Sequence, residues 1–158
     1  MEHPPQTTRV TRSPEQTLAL GRRVGAAAQA GLVIALTGEL GAGKTVLTKG
    51  IAAGLGVDPD RVTSPTFVLM VRHEGRIPLH HFDAYRLTSA AELLDIGAEE
   101  AFYGDGVCVI EWADRVMTAL PPERLDASLT ALAPDERQLT FRAHGSAAEA
   151  LLNSIAQA

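Results

Sequence analysis

Apolar positions along the chain follow two rhythms, and each rhythm marks a kind of element. Leu18, Val24, Ala27 and Ala28 fall on one side of a helix that opens at Ser13-Pro14-Glu15-Gln16 and stops by Gly31. Ser13 is placed as its cap, Pro14 as its first helical residue, and Gln16 completes a capping box. Leu47, Ile51 and Leu55 repeat at helical spacing from about Lys44 until Gly56. A third helix starts at Thr88-Ser89-Ala90-Ala91-Glu92, buries Leu93, Leu94 and Ile96, and ends at Gly97, with one or two further turns over 98–103. Residues 113–120 read as a short helix closed by Pro121-Pro122, and 146–158 as a terminal helix with Leu151, Leu152 and Ile155 on one side.

The second rhythm is that of strands. Leu32–Leu36 and Val107–Ile110 are apolar without alternation, as expected for central strands covered on both faces. Residues 67–73 and 77–85 are strand-like and joined by Glu74-Gly75-Arg76. Residues 124–132 and 138–143 alternate about Ala133-Pro134-Asp135-Glu136. Both pairs predict antiparallel hairpins. Together these elements predict an α/β, three-layer fold. Its mixed sheet is parallel at the centre and antiparallel in the hairpins, with helices on both faces. The proline-rich start is read as a disordered tail over 1–12, followed by a single domain over 13–158.

Composition narrows this picture. At 158 residues, 46% hydrophobic and 21% charged, the chain is an ordinary globular sequence. A net charge of −5 excludes a global basic field for nucleic acid. The single cysteine, Cys108, rules out an internal disulfide framework, lies in an apolar run that predicts burial, and fits a reducing cytosol. The first residues lack the apolar core of a signal peptide, and no apolar run approaches the length of a membrane span.

The candidate chemistry begins at Gly38-Glu39-Leu40-Gly41-Ala42-Gly43-Lys44-Thr45, a G-x-x-x-x-G-K-T segment between a predicted strand and a predicted helix. Glycines at this spacing let the backbone turn its N–H groups onto phosphate oxygens, and the helix start favours an anion. Lys44 supplies a point charge for the β- and γ-phosphates, and the Thr45 hydroxyl a magnesium ligand. Lysine is otherwise rare, with only Lys49 besides. Val107-Cys108-Val109-Ile110-Glu111-Trp112 has the form of a Walker B strand. Glu111 could hold the metal directly or through water, or position the attacking water. Trp112 beside it packs on the core, covers the nucleotide or touches a partner. Asp83, closing an apolar strand, is placed to meet the same cation. The stiff Thr63-Ser64-Pro65-Thr66-Phe67 loop is either a surface turn or a γ-phosphate-sensing segment. His80 and His81 are strand neighbours that point to opposite faces, which argues against one shared metal. The lone asparagine, Asn153, lies in the terminal helix, so no guanine-reading N-K-x-D segment exists and ATP is the expected nucleotide.

G-E-L-G-A-G-K-T, V-T-S-P-T-F, H-F-D-A-Y-R-L and V-I-E-W, in this order, resemble the TsaE family (formerly YjeE) over about Ser13 to Arg142. That family is the ATPase component of bacterial tRNA threonylcarbamoyladenosine synthesis. The resemblance implies a compact P-loop fold, ATP/ADP and Mg²⁺ as ligands, and a cytoplasmic location. It also implies a partner complex of TsaD-like and TsaB-like subunits, through which tRNA is reached indirectly. It puts Gly38–Thr45 with Val46 on the phosphates and Thr45 and Glu111 at Mg²⁺. Asp83 becomes metal partner or base, Thr66 faces the γ-phosphate, Trp112 lies over the nucleotide or at the partner face, and Arg137 touches the nucleotide. Ala113 departs from the proline that many members carry after the tryptophan. The mechanism expected is in-line attack of water on the γ-phosphate, weak alone and stimulated by a partner. Lys44, Asp83, Glu111 and Thr66 form the catalytic set; no arginine finger stands out, and Arg86 and Arg115 are candidates by position only. Two other readings are a small-molecule kinase, for which the short connections leave little room, and a nucleotide-switched binding module with negligible turnover.

Overall fold

The computed structural model describes residues 3–63 and 69–156. Its elements are β1 (Gln6–Thr11), α1 (Pro14–Ala27), β2 (Val33–Gly38), α2 (Lys44–Gly54), β3 (Met70–His73), β4 (Leu79–Asp83), α3 (Ala90–Asp95), α4 (Ala98–Phe102), β5 (Val107–Glu111), β6 (Arg124–Ala131), β7 (Arg137–His144) and α5 (Ser146–Ala156). The strands form one sheet in the order β1-β7-β6-β2-β5-β4-β3. β6, β2, β5 and β4 run parallel, and β3 and the β7–β1 pair add antiparallel edges. This is the mixed, parallel-centred sheet that the two strand rhythms predict.

The unbroken apolar strands feed both faces. Ile34, Leu36, Val107 and Val109 pack with Leu20 and Val24 of α1, Leu47 and Ile51 of α2, and Leu151, Leu152 and Ile155 of α5. Val33, Ala35, Cys108 and Ile110 pack on the other side with Leu93 of α3 and Phe102 of α4. α1 and α2 meet backbone to backbone. A Cβ on Gly21 would sit 2.5 Å from the Leu47 carbonyl, and one on Gly25 would overlap the Ile51 carbonyl. Gly50 and Gly54 face them from α2. Each helix thus carries glycines four apart on the contact face, a pattern that periodicity of large apolar residues passes over.

Three expectations are corrected. Residues 6–11 do not belong to a tail: β1 pairs with β7 from Gln6 opposite Arg142 to Thr11 opposite Arg137. β-branched Thr7, Thr8, Val10 and Thr11 suit an edge strand, and the Arg9 guanidinium donates to the carbonyls of Ile155 and Ala156 at the end of α5. Residues 113–120 form two 3₁₀ turns, Ala113–Arg115 and Met117–Ala119, not an α-helix. The left-handed backbone of Trp112, φ 59°, interrupts the path from β5 and denies α-helix a regular start. The first hairpin is shorter than read, Met70–His73 paired with Leu79–Asp83, and Phe67 lies outside the described residues.

Candidate P-loop site

β2 runs through the sheet centre and delivers Gly38 to the carboxyl edge, where the chain turns back into α2. Three glycines make that turn: Gly38 (φ +150°), Gly41 (+80°) and Gly43 (+100°). A side chain at any of them would be strained, and at Gly38 a Cβ would also meet the Leu129 carbonyl at 2.6 Å. Gly43 caps α2 with left-handed backbone and no side-chain bond. The first turn of α2 therefore presents its N–H groups and its positive dipole end to whatever sits above the loop.

Lys44 and Thr45 are the first residues of α2. The Lys44 ammonium donates to the carbonyls of Gly38 (2.6 Å) and Glu39 (2.9 Å) and lies 3.9 Å from the centroid of the Trp112 ring. Burial pulls its pKa down, opposed by the negative charges of Glu111, Asp114, Asp83 and Glu39. Thr45 Oγ1 donates to Glu111 Oε1 at 3.1 Å. Glu111 closes β5 and is only 2% exposed. Its second oxygen, Oε2, is 2.5 Å from His81 Nε2. Asp83 stands directly opposite Glu111 in the parallel β4–β5 pair, and its Oδ1 accepts from the Tyr85 N–H at 2.9 Å. Burial pushes the Asp83 carboxyl up and Glu111 adds to this, while the Tyr85 N–H, His81 and Lys44 oppose it.

These groups border an open cavity of about 300 Å³. Leu40, Gly41, Gly43, Lys44, Thr45, Val46, Glu111, Trp112 and Arg137 line it. Gly38, Glu39 and Ala42 shape the turn without lining the cavity, and Asp83, beside Glu111 on the neighbouring strand, does not line it either. Thr66 lies outside the described residues. Arg137 reaches the cavity wall as a tether: its guanidinium donates to Gly41 O across the loop and to Ala133, Pro134 and Glu136 carbonyls in the β6–β7 turn. At the mouth the Tyr85 and Trp112 rings lie 4.9 Å apart, and Arg115 stacks 5.2 Å from Tyr85 and 5.7 Å from Trp112. Arg86 is exposed on the surface. A larger groove of about 420 Å³ between the end of α1 and α5 is lined by no ionisable side chain, so chemistry and not size marks the site.

His81 is the residue that sequence reasoning passed over. The sequence offers it only as a ligand shared with His80, and the two diverge: His80 lies beside Arg72, His81 against Glu111. Strand parity held the signal, because His81 and Asp83 share a face.

A glycine loop at the carboxyl end of a central parallel strand, running into a Lys-Thr helix and faced by a carboxylate from the next strand, defines the class: a P-loop NTPase-like protein. The family can be stated more narrowly. The family model described as "Threonylcarbamoyl adenosine biosynthesis protein TsaE" matches residues 11–139, and the chain belongs to that family. The chain is 47% identical over 131 residues to the tRNA threonylcarbamoyladenosine biosynthesis protein TsaE of Treponema pallidum (strain Nichols), covering 83% of this chain and 96% of that protein. It is 42% identical over 148 residues to the protein of the same name from Bacillus subtilis (strain 168), covering 93% and 92%. The crystal structure of Bacillus subtilis YdiB superposes with a TM-score of 0.84 at 36% identity, covering 99% of this chain and 98% of that one. Family and three-layer fold agree with what the four motifs imply. Among the described residues no helix is long and apolar enough to cross a membrane.

Proposed function

We propose that this chain binds ATP with Mg²⁺ at the glycine loop and hydrolyses it to ADP and phosphate, in support of the threonylcarbamoyl transfer that modifies an adenine beside the tRNA anticodon. The observation that carries the reading is the meeting of Thr45 Oγ1 with the buried Glu111 carboxylate, 3.1 Å apart, with Glu111 the foremost negative charge acting on the Lys44 ammonium. The donor set suits magnesium. It offers a hydroxyl and one or two carboxylates, all hard oxygens, and among the described residues no cluster of three His, Cys, Asp or Glu could hold an ion alone. Magnesium of this kind completes its coordination with substrate phosphates and water. Thr45 and Glu111 would hold it, with Asp83 as further partner, and it would spread the charge developing on the phosphoryl oxygens.

The chain's own groups do the rest. The loop amides and Lys44 fix the phosphates, Lys44 exchanging the Gly38 and Glu39 carbonyls for phosphate oxygens. Asp83, half-buried beside Glu111, orients the attacking water or takes its proton. Trp112 and Arg137 border the nucleotide, and Thr66 meets the γ-phosphate. TsaD-like and TsaB-like subunits in the cytoplasm are the partners whose transfer reaction the hydrolysis serves, and tRNA is reached through them. ATP turnover, alone and with those partners and tRNA, tests this. Low activity alone, rising with partners and abolished by EDTA, is expected, with Lys44→Ala lower by at least ~100-fold. Wild-type turnover by Lys44→Ala would sink the site. Assembly that needs ATP but not its hydrolysis would favour the nucleotide switch, and phosphate delivered to a metabolite the kinase.

A further inference from the structure

We infer that His81 is a positioning residue that clamps the Glu111 carboxylate, so that one oxygen alone is offered to the P-loop cation. The inference rests on the metal-dependent reading above and assigns a role to a side chain outside that site. His81 is fully buried in β4, and Glu111 is 2% exposed at the end of β5. A carboxylate at that depth needs donors on both oxygens. Thr45 supplies one to Oε1 and His81 Nε2 the other to Oε2 at 2.5 Å. Since the ionised carboxylate only accepts, Nε2 is the nitrogen that carries hydrogen. His81 Nδ1 is then an acceptor, and it is buried without a hydrogen-bond partner among the described residues. Among the described residues the imidazole hydrogen-bonds to Glu111 and to nothing else.

Geometry gives the clamp its direction. β4 and β5 are paired in parallel, with His81 opposite Val109 and Asp83 opposite Glu111, so the ring lies one face-sharing position behind the carboxylate. It holds Oε2 from the protein side. Oε1 is left pointing toward Thr45, the hydroxyl at the lip of the loop. Without the ring, Glu111 can rotate about its own torsions and turn both oxygens onto Thr45 or Lys44. A ligating carboxylate held by a hydrogen-bonded neighbour typically loses 10–100-fold in metal affinity, by about that range, when the neighbour is removed.

The test compares three variants with the wild type. His81→Leu keeps volume and removes the donor, His81→Asn keeps polarity but is too short, and His81→Gln carries an N–H to about the Nε2 position. Mn²⁺ binding in the presence of ADP is followed by electron paramagnetic resonance, and ADP binding in EDTA by calorimetry. Mn²⁺ affinity should fall about 10–100-fold in His81→Leu and His81→Asn, recover most of the way in His81→Gln, and leave metal-free ADP affinity unchanged in all three. Should His81→Leu fail to fold around an unpartnered Glu111, the Asn and Gln pair decides. Wild-type Mn²⁺ affinity in His81→Asn, or a loss in His81→Gln as large as in His81→Asn, overturns the clamp while leaving the nucleotide site intact. Failure of the wild type to hold Mn²⁺ with ADP overturns the metal reading itself, and the clamp with it.

Discussion

The two faces of the sheet are built differently, and the candidate site hangs between them. On one face α1 and α2 lock through Gly21, Gly25, Gly50 and Gly54, with backbone against backbone and no side chain between. Leu47 and Ile51 of α2, and Leu55 that caps its end, are wholly buried. The other face is covered by α3 and α4, six and five residues long, and by the two 3₁₀ turns after β5. Helices that short gain little from their own backbone and depend on what they pack against. Here that is Leu93, and Phe102 beside Phe82 with ring centroids 5.8 Å apart. Leu94, Ile96 and Tyr103 remain exposed. The lesson is a division of labour. The locked face fixes where α2 begins, and so where Lys44 and Thr45 stand. The thin face carries Trp112 and Tyr85, the groups at the mouth.

The harshest way to break this contrast is to place the same methyl on each face. Gly25→Ala drives its Cβ into the Ile51 carbonyl and cannot be relieved without parting α1 from α2. A loss on the order of 4–5 kcal/mol is expected, most of the stability of a domain this size. Gly104→Ala on the thin face meets the Glu100 carbonyl at 3.0 Å at the end of a short helix and should cost less than about 1 kcal/mol. Urea midpoints by circular dichroism measure both, and equal shifts would remove the distinction. Next come cavities. Leu47→Ala should cost about 4 kcal/mol, because its neighbours are held by the glycine contact. Leu93→Ala, equally buried, should cost about 2 kcal/mol, because α3 can settle into the gap.

How far this was legible in the sequence follows the same division. The glycine loop, Lys44, Thr45 and the Glu111 strand stand out because phosphate and cation chemistry demand those residue types at fixed spacing, and the fold brings them together. The central strands were legible because burial on both faces leaves an unbroken apolar run. β1 was not: a six-residue edge strand, Gln-Thr-Thr-Arg-Val-Thr, with a single large apolar residue, gains its stability from β7, at the far end of the chain. The α1–α2 lock was hidden because glycine within a helix reads as a weak helix former until its partner helix is known. The His81–Glu111 pair needed the β4–β5 register, which no single segment encodes.

A finer probe of the thin face is its thiol. Cys108 is fully buried, donates to the Ala101 carbonyl at 3.3 Å, and is pushed up to about 12 by burial. Between the ordinary thiol value near 9 and about 12, the folded chain keeps a proton that the unfolded chain loses. Stability contributed by this group is therefore whole below pH 9 and declines as pH rises through that window. Cys108→Ala lacks the dependence, so the gap between variant and wild type should shift by about 1.4 kcal/mol between pH 8 and pH 10 in favour of the variant. Parallel pH profiles would show that α4 opens readily enough to let the thiol ionise in the fold.

The smallest contrast is between the two serine caps, which sequence reads alike. Ser13 Oγ accepts from the Gln16 N–H at 3.1 Å, while Gln16 Oε1 reaches past it to the Arg12 N–H at 2.7 Å. Ser89 also stands at a helix start, yet its hydroxyl makes no capping bond. The work passes to its neighbour: Glu92 accepts from Thr88 Oγ1 at 2.6 Å and from the Thr88 N–H at 3.3 Å. Ser13→Ala should therefore cost about 1 kcal/mol, and Ser89→Ala no more than a few tenths, about 0.3 kcal/mol. Thr88→Val, which keeps the shape of the side chain and removes the hydroxyl, should exceed Ser89→Ala. If the two serine variants melt alike, the thin face is capped by the same device as the locked one. Its looseness would then have to come from the shortness of α3 alone and not from how the helix begins.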